Sequence, residues 1–339
     1  MSSSLSSSQT LESIYHRLRN ADQNTFLKHC EKEAPEVLMK SSKKNGLRYY
    51  RGKVRELFSN RKKVYIWHSD RLSAFDRHIC CVPYKGLILN EINCFWLKKS
   101  ADIMATHFLD KPHSRVLLAV KTQPIKIEVV VRAYLAGSML RDYLKGQRQF
   151  SDQLLPDGLK AYCKLPSPIV TPTTKAEVYQ HDAPISPSEI IRQGFCTEDQ
   201  WQQITTKSLE LFTLGQKVFA EHAWLLVDTK YEFGMTQSGE LLLIDEIHTP
   251  DSSRLWAETS YLECISSGLA PEMFDKENIR RFLASKGFIG EGDIPLIPNN
   301  LILDLAETYL KVAETLLGKK LSIVNNEVPF SFETLAPIY

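Results

Sequence analysis

The chain has 339 residues, 43% of them hydrophobic and 24% charged, with a net charge of +2. That length supports two domains with a sizeable core, and the near-neutral charge argues against a dedicated nucleic-acid binder. Seven cysteines without a Cys-x-x-Cys pair argue against a disulfide framework or a zinc site, so a reducing, cytoplasmic setting is expected. Residues 1–9 are serine-rich with no apolar run, and no stretch approaches the ~18 apolar residues of a membrane helix, so neither a secretory leader nor a membrane span is expected.

In chain order, a disordered tail is expected over residues 1–9, then one or two surface helices to about residue 38, where Leu11, Ile14, Tyr15, Leu18, Phe26 and Leu27 recur at helical spacing. From Arg48 the period changes to two, and residues 48–58 and 63–68 read as one hairpin. Residues 69–76 read as a polar loop, 90–104 as an amphipathic helix, and 116–120 and 125–133 as strands. The second strand is nearly all β-branched and is expected to be buried on both faces. Gly137-Ser138 opens a helix to about residue 144, and the proline-rich stretch 150–187 reads as a functional loop. Helices follow at 188–193 and 197–222, strands at 225–229 and 241–247, and closing helices at 279–283 and 300–317. Strands in hairpins with helices grouped after them give an α+β class. The expected domains are a tail and helical extension (1–45), an N-terminal α+β lobe (46–127) and a C-terminal α+β lobe with closing helices (128–339).

The densest chemistry lies in residues 225–256. Asp228, Lys230 and Glu232 stand at period two and so share one face of a strand. If Ser238-Gly239 forms a two-residue turn, Gln237 faces Glu240 and Glu232 stands directly opposite Asp245, with Cβ atoms about 5 Å apart. Like charges there destabilise a sheet unless a cation bridges them, and oxygen-only ligands suit magnesium. A longer turn would slip the register by one and bring Glu246 into the site instead; a solvated acidic hairpin is the plain alternative. Lys230 on the same face suits an anionic group, and the stretch His248-Thr-Pro-Asp-Ser-Ser-Arg254 offers two hydroxyls and an arginine to a phosphate, with Asp251 orienting Arg254 or meeting a sugar hydroxyl.

Other constellations are weaker singly. Arg51-Gly52-Lys53-Val54-Arg55 could cover nucleotide phosphates, with Lys53 and Arg55 sharing a strand face, or could be a solvated basic strand. Arg71, Ser73 and Asp76 could bind an amino acid, or staple their own loop. Arg132 at a strand end and Ser138 at a helix N-terminus offer an anion site, or an ion-pair partner and an N-cap. Thr171-Pro-Thr-Thr-Lys175-Ala-Glu177 could be a mobile lid carrying Lys175, or a connector.

In this order, Arg51-Gly-Lys-Val-Arg55, Asp70-Arg-Leu-Ser-Ala-Phe-Asp76, Glu128-Val-Val-Val-Arg132 with Gly137-Ser138, Thr171-Pro-Thr-Thr-Lys-Ala-Glu177, Asp228-Thr-Lys-Tyr-Glu-Phe-Gly234 and Asp245-Glu246 with Thr249-Pro-Asp-Ser-Ser-Arg-Leu-Trp256 closely resemble the SAICAR synthetase family. The resemblance implies an ATP-dependent ligase of purine synthesis that joins L-aspartate to carboxyaminoimidazole ribonucleotide (CAIR). It implies two lobes, each with an antiparallel sheet, and a loosely kinase-like ATP cleft between them. Carried over by position, Gly52, Lys53 and Arg55 meet the ATP phosphates, Glu128 and Val130 the adenine side, and Glu232 and Asp245 magnesium. Arg132, Ser138, Lys230, Asp251 and Arg254 surround the ribonucleotide, and Ser73, Asp76 and Lys175 are assigned to aspartate. Catalytic weight falls on Lys53, Lys230 and Arg254, in a monomer or small homo-oligomer. A small-molecule kinase and a non-catalytic nucleotide-binding module are the rival readings; the absence of a His-Arg-Asp loop counts against a protein kinase.

Overall fold

Period-two patterning from Arg48 onward produces the first of two large sheets. The computed structural model describes residues 8–30, 36–175, 183–267, 269–324 and Phe332. By contact the chain divides into two units, residues 1–94, 108–121 and 276–339 forming one and residues 95–107 and 122–275 the other.

The first unit carries a five-stranded antiparallel sheet in the order Arg48–Arg51, Arg55–Ser59, Lys63–His68, Val116–Val120, Phe108–His113. Phe58, Tyr65, Trp67, Val116 and Leu118 form its core with Leu38 and Phe332. The stretch read as a single strand from Arg48 is itself a hairpin. It folds back at Gly52-Lys53-Val54, where the Gly52 amide donates to the Arg55 carbonyl at 2.8 Å. Lys53 therefore sits in a turn and does not share a strand face with Arg55.

Residues 69–76 are not a loop either. Arg71–Ala74 pairs with Arg77–Cys81 across a two-residue turn in which Phe75 and Asp76 both have positive φ, 52° and 59°. Hairpins favour such turns because their twist matches that of the strands. Asparagine, aspartate or glycine is the usual choice; Phe75 is held there by its edge-on contact with Phe288, ring centroids 6.2 Å apart. The helix expected from residue 90 begins earlier, at Lys85, because the buried Asp70 carboxylate caps it by accepting from the Tyr84 and Gly86 amides (3.2 and 3.0 Å).

The N-terminal extension is built into this unit. Leu11–Arg19 buries Leu11, Ile14, Tyr15 and Leu18 and packs against Asn299–Leu317. Arg19 bridges Asp304 and Glu307 at 2.9 and 2.8 Å, and Tyr15 donates to the Pro83 carbonyl at 2.6 Å. Ser8–Thr10, whose first two residues were expected in the tail, pairs with Ser322–Val324. The closing helices thus group with the N-terminal residues, where the expected division placed them in the C-terminal lobe: their apolar stripe meets the stripe of the first helix.

The second unit's antiparallel sheet has Lys164–Thr174 outermost, then Gln123–Tyr134, then the central strand Trp224–Met235. Leu241–Ile244 and Ser253–Ala257 pair with the two halves of the central strand's other edge. The helix Glu198–Ala220, started by a Thr197/Gln200 capping box, packs on the sheet. Two expectations change here. Gln123–Tyr134 is buried on one face only: Ile127, Val129 and Val131 are buried, whereas Glu128, Val130 and Arg132 are half-buried. The proline-rich stretch contributes a strand, with Pro166, Pro168 and Pro172 tolerated because it lies at the sheet's margin.

Candidate active site

The central strand divides its residues by parity. Val227, Thr229, Tyr231 and Phe233 are buried, and Asp228, Lys230 and Glu232 occupy the other face. Register sets Arg132 and Arg254 on either side of Asp228, Val130 beside Lys230 and Glu128 beside Glu232. Two charged groups result.

The first group centres on Lys230. Its Nζ lies 3.0 Å from Glu128 Oε1 and 3.5 Å from Asp245 Oδ2, and it donates to Glu232 Oε1. Lys175 donates to the other Glu232 oxygen. Burial pushes the Glu232 carboxyl up, but the Lys230 and Lys175 ammonium groups outweigh it and hold it well below the usual carboxylate range. Burial likewise pulls Lys230 down, and Glu232 and Glu128 outweigh that and raise it above its ordinary value. Glu128 directly opposite Glu232 would destabilise a bare sheet; the shared ammonium offsets the repulsion.

The expected pairing of Glu232 with Asp245 is corrected by one residue. Glu232 faces Ile244, because the turn holds three residues, Gln237-Ser238-Gly239, closed by the Thr236 amide on the Glu240 carbonyl (2.9 Å) with Gly239 at φ +84°. A simple slip would then bring Glu246 beside Lys230. The strand instead ends at Ile244, and Asp245 adopts φ +67°, which delivers its carboxylate to Lys230. Glu246 turns away and accepts from Thr249 Oγ1 at 2.6 Å. Among the described residues no three His, Cys, Asp or Glu side chains form a metal site by themselves. An oxygen-only pair such as Glu232 and Asp245 fits a hard cation that takes its remaining ligands from phosphates and water.

The second group centres on Asp228, for which the sequence suggested no role. Its Oδ2 accepts from Arg254 Nη1 at 2.8 Å and Arg132 Nη1 at 3.3 Å, and Arg132 Nε donates to Thr171 Oγ1 at 2.8 Å. Burial lowers the Arg132 guanidinium from its ordinary value, and Asp228 opposes that shift. The helix Gly137–Leu144 starts beside Arg254, with Gly137 at φ +58°; a Cβ on Gly137 would lie 2.3 Å from Arg254 Nη2. The N-cap is Ala136, which makes no side-chain capping bond, so Ser138 does not cap the helix. Two guanidinium groups and a helix N-terminus have the chemistry to receive an anion.

Of the two hydroxyls expected at the phosphate, Ser253 is buried against Thr229 Oγ1 (2.7 Å), and Ser252 bonds back to Thr249. Asp251 is half-buried in the same turn. His248 anchors this segment from behind: its Nε2 meets the Tyr231 hydroxyl at 2.6 Å, and burial pushes the imidazole down to about 3. No periodicity marks His248, so only the packing reveals it. Lys175 belongs to the Glu232 group, and Glu177 and His181 lie outside the described residues.

In the first unit, Lys53 Nζ lies 3.0 Å from Asp76 Oδ1. Residues assigned to nucleotide and to aspartate are thus ion-paired with one another. Arg55 stands opposite His68, and Ser73 opposite His78.

A family model described as SAICAR synthetase matches residues 48–291. The chain belongs to the SAICAR synthetase family. A putative phosphoribosylaminoimidazole-succinocarboxamide synthase 2 of Agrobacterium fabrum is 40% identical over 278 residues, covering 80% of this chain and 88% of that one. The synthase of Legionella pneumophila is 39% identical over 83% of this chain and 91% of its own. Among solved structures, the SAICAR synthase of Saccharomyces cerevisiae complexed with SAICAR superposes with a TM-score of 0.70 at 27% identity, covering 85% of this chain and 99% of that one. A type-2 SAICAR synthetase in complex with ADP gives 0.63 at 25%, over 81% of this chain and 100% of that one. The α+β class and the ligase family expected from the motifs are both borne out.

Proposed function

We propose that this enzyme joins the amine of L-aspartate to the carboxylate of CAIR at the cost of ATP, through an acyl phosphate on CAIR. The family membership, the relative complexed with SAICAR and the relative complexed with ADP support the ligase reaction. The observation carrying the site assignment is the convergence of Glu128, Glu232, Asp245 and Lys175 on and around Lys230.

A carboxylate is a poor acylating agent because its leaving group would be oxide. In the first step a CAIR carboxylate oxygen attacks the γ-phosphorus, and the bond to the ADP oxygen breaks. The aspartate amine then attacks the acyl carbon, phosphate leaves with the C–O bonding pair, and the amine nitrogen loses a proton to form the amide. Lys230, kept protonated by its carboxylate neighbours, offsets charge on the phosphoryl oxygens. Arg132 and Arg254, aimed by Asp228, and the amides at Gly137-Ser138 hold the ribonucleotide phosphate, with Asp251 close by in sequence for a sugar hydroxyl. Glu232 and Asp245 would hold a magnesium ion, which supplies further charge neutralisation at the phosphoryl oxygens when bound. Positioning and electrostatics suffice; no covalent enzyme nucleophile is required.

The test uses CAIR labelled with ¹⁸O in its carboxylate. Multiple-turnover ADP release should require CAIR, aspartate and magnesium together, and one labelled oxygen should appear in inorganic phosphate. Sustained turnover without aspartate, leaving a stable phosphorylated product, would point to a kinase, and unlabelled phosphate would exclude the acyl phosphate.

Gly137→Ala tests the anion site separately. The positive φ costs an alanine about 1–2 kcal/mol, and the new methyl displaces the Arg254 guanidinium. Steady-state kinetics should give a KM for CAIR raised about tenfold or more, with the KM for ATP nearly unchanged.

A further inference from the structure

The Gly52-Lys53-Val54 turn is gripped from behind by residues 69–71. Three successive carbonyls point at that support. The Gly52 oxygen accepts from Arg71 Nη2 at 3.1 Å, the Lys53 oxygen from Arg71 Nε at 3.0 Å, and the Val54 oxygen from Ser69 Oγ at 2.6 Å. The remaining branch of the guanidinium, Nη1, donates to Glu56 Oε1 at 2.6 Å, and the other Glu56 oxygen accepts from the Tyr49 hydroxyl. Arg71 and Glu56 are 3% and 2% exposed, so neither reaches a small molecule in solution. The support is itself rigid: the neighbouring Asp70 is fully buried, takes both Nη atoms of Arg115 (2.6 and 3.2 Å) and caps the Lys85 helix. The Asp70-Arg-Leu-Ser-Ala-Phe-Asp76 motif is therefore a frame for the turn, with Asp76 steadying the Lys53 ammonium.

We propose that Arg71 is a positioning residue for nucleotide binding: by taking the Gly52 and Lys53 carbonyls to its own side, it keeps their negative ends away from a triphosphate and leaves the Lys53 ammonium to meet it. This rests on the reading of the turn as phosphate-covering. A carbonyl oxygen turned toward phosphate would repel it, and a single peptide flip suffices to turn one. Arginine suits the task because its planar fork serves several acceptors at fixed angles, which a lysine ammonium does not.

The experiment compares Arg71→Lys, Ser69→Ala and Lys53→Met in the full-length enzyme. Arg71→Lys keeps a cation for Glu56 and loses the fork. Its KM for ATP should rise about 10- to 100-fold while the KM values for CAIR and aspartate stay within about twofold. Amide exchange over residues 52–55 should quicken in the same variant. Ser69→Ala removes the hydroxyl from the Val54 carbonyl, which keeps the Ser69 amide at 3.2 Å, and from the Arg71 amide (3.3 Å); it should move ATP affinity in the same direction by less, and it decides the matter if Arg71→Lys does not fold. If Lys53→Met leaves the KM for ATP unchanged, the phosphate-covering reading fails, and the role of Arg71 with it. If Lys53→Met weakens ATP but the folded Arg71→Lys and Ser69→Ala enzymes bind it normally, only the Arg71 inference is overturned. A rise confined to the KM for aspartate would overturn it too, and would return Arg71 to the amino-acid substrate.

Discussion

Glu232→Gln should lower turnover by about 10³-fold or more while leaving the protein folded. The side chain is 3% exposed and holds both the Lys230 and the Lys175 ammonium groups. An amide of the same shape keeps the packing and loses the charge. Lys230 retains Glu128 and Asp245 as partners, and Lys175, 40% exposed, can turn to water. Glutamine is therefore a cleaner probe than alanine, since deleting one partner of a buried pair typically costs about 3–5 kcal/mol. The measurement pairs ADP release with a thermal melt and with Mn²⁺ binding followed by electron paramagnetic resonance. Turnover and Mn²⁺ affinity should both fall, and Asp245→Asn should behave alike. Near-normal rates in both variants would remove these residues from the metal assignment.

Asp228→Asn should act on the ribonucleotide. One carboxylate aims two guanidinium groups, Arg254 at 2.8 Å and Arg132 at 3.3 Å. Without its charge the arginines repel each other and lose their common anchor. The KM for CAIR should rise about 100-fold, because misplacement by about 1 Å is costly at an oriented site. Stability should fall by about 3 kcal/mol, as expected when a buried ionic partner is neutralised. The melt should also lose most of the stabilisation that CAIR confers on the wild type. An unchanged KM for CAIR, with the loss of stability present, would make Asp228 a purely structural residue.

The two residues differ in how they can be read from the chain. Glu232 is legible because two acids flanking a lysine at period two, followed by a glycine turn and a second acidic pair, suit a cation between the acids and an anionic group at the lysine. Asp228 stands in the same periodic set, yet nothing local indicates that Arg132 and Arg254 meet it; that follows from strand order. His248 and Arg71 are harder still. Each acts through a buried contact, one with Tyr231 and one with the Gly52 and Lys53 carbonyls, and neither contact leaves a spacing signature.

What the sequence determined alone is the chemistry and its order along the chain: which segments carry acids, amines and guanidinium groups, the helical and strand periods, and a motif order specific to one family. Side-chain type and local period are properties of neighbouring residues, so they survive without a fold. Tertiary structure alone decided the register of the acidic hairpin, the positive φ that delivers Asp245 and not Glu246, and the pairing of Lys53 with Asp76. It also decided that the proline-rich stretch contributes a strand, Lys164–Thr174, and that the terminal helices join at residues 285 positions apart, as in Arg19 with Asp304. These are outcomes of long-range pairing. A turn of two or three residues is nearly isoenergetic by itself, and the choice falls to whichever register buries the apolar face and leaves each charge a partner.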